Sequence, residues 1–141
     1  MTKPQEVSRR FGPPFQRHLD IEMAVGPNKE GVASIQINPE KHYGSRWVHG
    51  GMFGALVDVA AGIAVAQTVT DAITAIDGTI ELKINYLRRA REGDLTATAR
   101  VVHRGRRVVV TDVDITNDGT LCAKALASFM LSPTTSESSQ V

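Results

Sequence analysis

The chain has 141 residues, a formal net charge of +1 and 42% hydrophobic residues. That is enough for one domain with a sizeable core, and it lacks the basic excess that would make nucleic acid or an anionic membrane the main partner. The single Cys122 excludes an intrachain disulfide and gives no metal-binding spacing, and Met1 to Asp20 holds no long apolar run of the signal-peptide kind, so the expectation is a cytoplasmic protein with no metal and no cofactor.

Residues 1–19 read as an N-terminal arm. Phe11-Gly12-Pro13-Pro14-Phe15 should stop any helix, giving an irregular arm or a short helix followed by a turn. Ile21 to Val25 and Val32 to Ile37 alternate in the manner of strands, and the turn formers Gly26 to Gly31 join them into a hairpin. Asn38 to Trp47 reads as a polar, aromatic-bearing loop.

From Val48-His49-Gly50-Gly51-Met52 to Val69 the chain is apolar on every side of a helical wheel and rich in Ala. A helix apolar all round is a buried helix. Asp58 is the only charged residue between His49 and Asp71. A carboxylate in such a setting is costly unless it is paired or chemistry needs it there. A membrane span is the weaker reading, because a central Asp opposes it. His49 can cap this helix, and Gly50 and Gly51 let the chain turn tightly into it.

Asp77-Gly78 marks a turn. Thr79 to Tyr86 then alternates with period two: Ile80, Leu82, Ile84 and Tyr86 share one face, and Thr79, Glu81, Lys83 and Asn85 the other. Arg88-Arg89-Ala90-Arg91 is a basic turn. Leu95 to Val102 is a strand, Arg104-Gly105-Arg106 a turn, and Arg107 to Thr116 a Val-rich return strand. Asn117-Asp118-Gly119 is a strong hairpin signal, and Leu121 to Leu131 is the last strand. The Ser/Thr-rich residues 132–141 read as a disordered tail. The expected architecture is α+β: a long central helix wrapped by a curved antiparallel sheet of about six strands over residues 20–131. A second subunit should cover what one sheet cannot surround.

His49-Gly50-Gly51, six more residues, then Asp58 resembles the motif of hotdog-fold acyl-CoA thioesterases of the phenylacetate-pathway (PaaI-like) family. So do Leu82-Lys83-Ile84-Asn85-Tyr86-Leu87-Arg88, Gly93-Asp94-Leu95 and Val101-Val102-His103-Arg104-Gly105-Arg106. The resemblance implies the hotdog fold, an acyl-CoA substrate, and homodimers or homotetramers with active sites between subunits. Geometry gives an independent reason for shared sites. Gly50 and Asp58 lie ~12 Å apart on one straight helix, too far to act together on one thioester.

By resemblance, Asp58 is the base that activates water or the nucleophile that attacks. The Gly50 N–H polarises the carbonyl at the positive end of the helix. His49 orients this contact, and Thr79 helps place the water. Gly51, Tyr43, Trp47 and Phe53 belong to the substrate site. Arg88, Arg89 and Arg91, with Arg104 and Arg106, suit the phosphates of coenzyme A. Where relatives carry an Asn six residues before the motif histidine and a Gly three before it, this chain has Tyr43 and Arg46, and Arg89 stands where relatives usually have Pro.

Three rival readings follow. An enoyl-thioester hydratase would carry Asp-x-Asn-Pro-apolar-His, but the chain's Asn38-Pro39 is followed by Glu40. A non-catalytic acyl-CoA-binding module would not need Asp58. A structural Asp58 would sit in a buried ion pair.

Overall fold

The computed structural model describes residues 5–7 and 12–133. Phe11 and residues 134–141 of the expected tail lie outside the described residues. Seven strands, β1 (Gln5–Val7), β2 (Glu22–Val25), β3 (Gly31–Gln36), β4 (Ile76–Tyr86), β5 (Asp94–Arg104), β6 (Val108–Asn117) and β7 (Thr120–Leu131), form one sheet. Its order is β1-β2-β3-β5-β6-β7-β4, with every neighbouring pair antiparallel. The helices are α1 (Pro14–His18), α2 (Pro39–His42), α3 (Gly50–Ala66) and α4 (Ala72–Ala75). The expected helix wrapped by an antiparallel sheet is therefore present, and the three-residue β1 is added to the expected six strands.

The core lies between α3 and the concave face of the sheet. Leu56, Val57, Ala60 and Ala61 of α3 are fully buried against alternating residues of the strands, among them Ala33, Ile35, Leu95, Ala97, Ala99, Val113 and Ile115. Alanines on both sides let helix and sheet approach closely. Gly31 is a point of close approach: a Cβ there would lie 1.8 Å from the Ala60 carbonyl oxygen.

Four local expectations are met differently by the structure. The short helix that was one of the two forms expected for the arm is present as α1, but the prolines begin it instead of stopping it: Pro14 occupies its first position, where the missing N–H would have had no helical partner. Part of the arm is also regular, since Gln5–Val7 pairs with Met23–Val25. The loop over Asn38–Trp47 contains α2, started by Pro39 and capped by Asn38, whose Oδ1 accepts the Glu40 N–H at 3.0 Å.

Asp77-Gly78 is not a turn. It lies inside β4, where the register against β7 shifts between Ile76 and Gly78 and again between Thr79 and Glu81. Gly78 has φ +150, a conformation glycine supplies. Thr79 pairs with Phe129, Glu81 with Ser128 and Leu82 with Ala127, so Ile80 is the extra residue of a bulge. The bulge reverses the alternation at that point. Thr79 comes onto the helix-facing side with Leu82, Ile84 and Tyr86, and not onto the side of Glu81 and Lys83.

The hairpin between β6 and β7 is as expected. Asp118 and Gly119 both have positive φ, 47 and 85, as a two-residue hairpin loop requires. Among the described residues no helix is long and apolar enough to cross a membrane.

Candidate active site

The N-terminus of α3 is built by its cap. The His49 ring Nδ1 accepts the Gly51 N–H at 2.8 Å. That bond leaves the proton of the neutral imidazole on Nε2. The Gly50 N–H takes no acceptor among the described residues. It sits at the positive end of a seventeen-residue helix, where a partial charge of about +0.5 gathers. Gly50 therefore presents a free donor, as a carbonyl-polarising site needs.

Gly50 lines a cleft of about 350 Å³, walled by Val48, Phe53, Tyr86 and Leu87, with Trp47, Arg88 and Arg89 on the same lining. Tyr86, the last residue of β4, donates from Oη to the Gly50 carbonyl at 2.7 Å. Its ring meets Phe53 edge-on, with centroids 5.3 Å apart. Burial raises the phenol above its usual value, so it stays protonated and remains a donor. Sequence reading placed Tyr86 only on the apolar face of a strand. Its position at the strand end, facing the start of the helix, was the available signal.

The loop before the helix is held from two sides. Val48 N–H donates to the Ala90 carbonyl at 2.9 Å, and Tyr43 Oη donates to the Arg91 carbonyl at 2.6 Å. Tyr43 is thus a brace between two loops and does not line the cleft. His42 is buried within the fold, its Nδ1 accepting the Asn38 N–H and its Nε2 meeting the Leu19 carbonyl at 2.7 Å.

Asp58 lies two turns further along α3 and outside the cleft. Its Oδ1 accepts the Thr79 hydroxyl at 2.5 Å. Asp58 and Thr79, each carried over by resemblance, are therefore in contact, and the β4 bulge is what brings Thr79 there. No Lys, Arg or His among the described residues lies within 4.0 Å of the Asp58 carboxylate. The ion-pair reading of Asp58 accordingly has no partner within the described chain. Among the described residues no cluster of His, Cys, Asp and Glu could hold a metal.

The arginines expected to act together are divided. Arg88 and Arg89 line the cleft, while Arg91 is on the same loop but exposed and outside it. Arg104 ends β5, and Arg106 lies in the following turn. Tyr86 is opposite Ala123 on β7, and Val108 is opposite Met130. Seven residues of strand, ~23 Å, thus separate the two groups within one chain. Arg104 is also turned onto its own turn, donating to the Gly105 carbonyl at 2.6 Å.

Comparison with known proteins agrees with this geometry. The profile of the thioesterase superfamily matches residues 47–124. The medium/long-chain acyl-CoA thioesterase YigI of Salmonella typhimurium is 31% identical, over 90% of this chain and 95% of its own. A relative from Saccharolobus solfataricus is 37% identical over 67% of this chain and 61% of its own length. Among solved structures, a phenylacetic acid degradation-related protein of Ralstonia eutropha has a TM-score of 0.73 at 26% identity, covering 86% of this chain and 95% of that one. The phenylacetic acid degradation protein PaaI of Thermus thermophilus, at 22% identity, shares the fold with a TM-score of 0.71, over 84% of this chain and 98% of its own. A family match spanning more than half the chain, together with a 31% identical relative along nearly all of it, places this protein in the thioesterase superfamily as a thioester hydrolase, with a hotdog fold like that of the phenylacetic acid degradation-related structures.

Proposed function

We propose that the protein hydrolyses acyl-CoA thioesters at a site shared by two subunits, with Gly50 from one and Asp58 from the other. The observation that carries this reading is the division of labour along α3. The free Gly50 N–H opens into the cleft, while the Asp58 carboxylate lies ~12 Å away on an uncovered side of the same helix. That side carries Gly51, Gly54, Ala55, Asp58 and Gly62, none of them buried in the single chain. Beside it, β4 is the edge of the sheet and leaves Ile80 53% and Leu82 37% exposed. A glycine- and alanine-lined helix face next to an apolar sheet edge suits a second copy of the chain, related by a two-fold axis.

In such a dimer the Asp58 carboxylate, aligned by the Thr79 hydroxyl, takes a proton from water or attacks the thioester carbonyl itself. The negative charge that develops on the carbonyl oxygen is met by the Gly50 N–H and the helix dipole. Coenzyme A thiolate leaves, and the free acid is the product. The name of the YigI relative supports acyl-CoA as substrate. The hydratase alternative gains no support, because Asn38 and Glu40 are used in capping α2.

Subunit sharing has a direct test. Asp58→Asn and Gly50→Val chains are each inactive alone. Unfolded together and refolded, they pair at random, and half the dimers carry one intact and one doubly defective site. About a quarter of wild-type turnover is expected to return. Absence of restoration in a verified mixed dimer would overturn the shared site.

Tyr86 acts through Gly50. Its hydroxyl fixes the carbonyl of the residue whose N–H faces the substrate. Tyr86→Phe keeps the ring and the Phe53 contact, removes one hydrogen bond worth ~1.4 kcal/mol, and should lower kcat about tenfold with KM nearly unchanged. A Tm loss with kcat preserved would assign Tyr86 to stability alone.

A further inference from the structure

Trp47, the only tryptophan of the chain, is flanked by guanidinium groups. The Arg89 guanidinium lies over its ring, 3.8 Å from the centroid, and that of Arg46 lies 5.0 Å away. Arg88 lines the same cleft. None of the three meets a carboxylate among the described residues. A guanidinium stacked on a ring by its face keeps its N–H edges free, and those edges match carboxylate and phosphate oxygens. Stacking also removes side-chain freedom before any ligand arrives, so less is lost on binding.

We propose that Trp47 is a positioning residue that holds Arg89 and Arg46 as an anion receptor at the cleft, with Arg88 beside them. Its ligand is an anionic group of the thioester substrate itself. The inference rests on the thioesterase reading for the identity of the ligand, not for the existence of the receptor.

An acyl-CoA can offer two kinds of anion, the phosphates of coenzyme A and a carboxylate at the end of its acyl chain. Gly50 and Arg89 line one cleft of about 350 Å³, which can take a short acyl chain ending in a carboxylate. The phosphates of coenzyme A are joined to the thioester by an arm as long as about four extended residues, ~14 Å. Both anions present the same chemistry to the guanidinium edges.

Three thioesters separate the sources: hexanoyl-pantetheine with neither anion, glutaryl-pantetheine with a carboxylate only, and hexanoyl-CoA with phosphates only. Arg89→Ala is expected to raise KM about tenfold for whichever anionic thioester the receptor reads, relative to hexanoyl-pantetheine, with kcat little changed. Trp47→Leu, which keeps every arginine, should reproduce part of that rise, and Arg89→Lys should rescue it poorly because an ammonium does not stack as a plane. A rise confined to hexanoyl-CoA assigns the phosphates, and one confined to glutaryl-pantetheine assigns the acyl carboxylate. Equal effects on all three thioesters, or none, would overturn the receptor.

A second readout does not need turnover. Trp47 is the chain's only indole, so its fluorescence reports the stack directly. Titration with coenzyme A and with glutaryl-pantetheine should change it in the wild type, and the change should weaken in Arg89→Ala. If turnover is absent but this response is present, the thioesterase reading fails and the receptor stands. If turnover is present but neither fluorescence nor KM depends on Arg89, the receptor fails alone.

Discussion

Replacing Asp58 by Asn is expected to lower kcat about a thousandfold or more against any acyl-CoA the wild type turns over, while Tm stays within ~2 °C. The amide has the shape of the carboxylate, and its oxygen can still accept the Thr79 hydroxyl that now meets Oδ1. What is lost is the charge that accepts a proton or attacks carbon, a contribution of the order of 10²–10⁴ for a positioned base and more for a nucleophile. Stability should hold because no cation among the described residues is within 4.0 Å of Asp58, so the substitution orphans no partner charge. Thiol release from a panel of short-chain, medium-chain and arylacetyl or benzoyl thioesters, run beside a thermal melt, measures both quantities. A melt lowered by ~10 °C with turnover kept would return Asp58 to a structural role.

Gly31→Ala should destabilise the protein by about 3 kcal/mol or more, a fall in Tm of ~10 °C, without touching the site chemistry. The Cβ it adds would stand 1.8 Å from the Ala60 carbonyl oxygen and 2.7 Å from the Ala64 nitrogen. Both are main-chain atoms of a helix that is itself packed against the sheet. No side chain can rotate out of the way, so α3 must move off β3. Movement there also opens contacts around Leu56 and Val57, each fully buried and each contributing ~1.5–3 kcal/mol by its burial. Denaturant unfolding of Gly31→Ala beside the wild type gives the difference. A melting point unchanged within ~1 °C would show that helix and strand do not approach this closely.

Local chemistry was enough to read the frame of the molecule. The apolar run after His49 is a helix wherever it is placed, because alanine-rich sequence with no polar face has only the core to enter. Asp58 was conspicuous for the same reason, as the one charge in that run. The last four strands follow from period two and from turn residues such as Asp118 and Gly119. His49 as a cap and Gly50 as an open donor follow from the orphan N–H groups that every helix start leaves.

Position along the chain could not reveal how residues distant in sequence meet. Period two put Thr79 on the wrong face, because one extra residue, Ile80, reverses the alternation, and only pairing with β7 shows which residue is extra. The basic turns read as one cluster, yet the strands carry them to opposite ends of the sheet. Tyr86 became part of the site only when β4 laid its last residue beside the first turn of α3. Trp47 and Arg89 met because their two loops are joined through Val48 and Ala90. Sequence by itself thus determined the long helix, the first hairpin and the last four strands, and which residue carries the isolated charge, since propensity, capping and patterning act over a few neighbours; the short elements β1, α2 and α4 lay below that signal. Tertiary structure alone decided the register, the bulge and the side-chain partners, since those depend on what lies across a strand pair or a helix–sheet contact, many residues away in the chain.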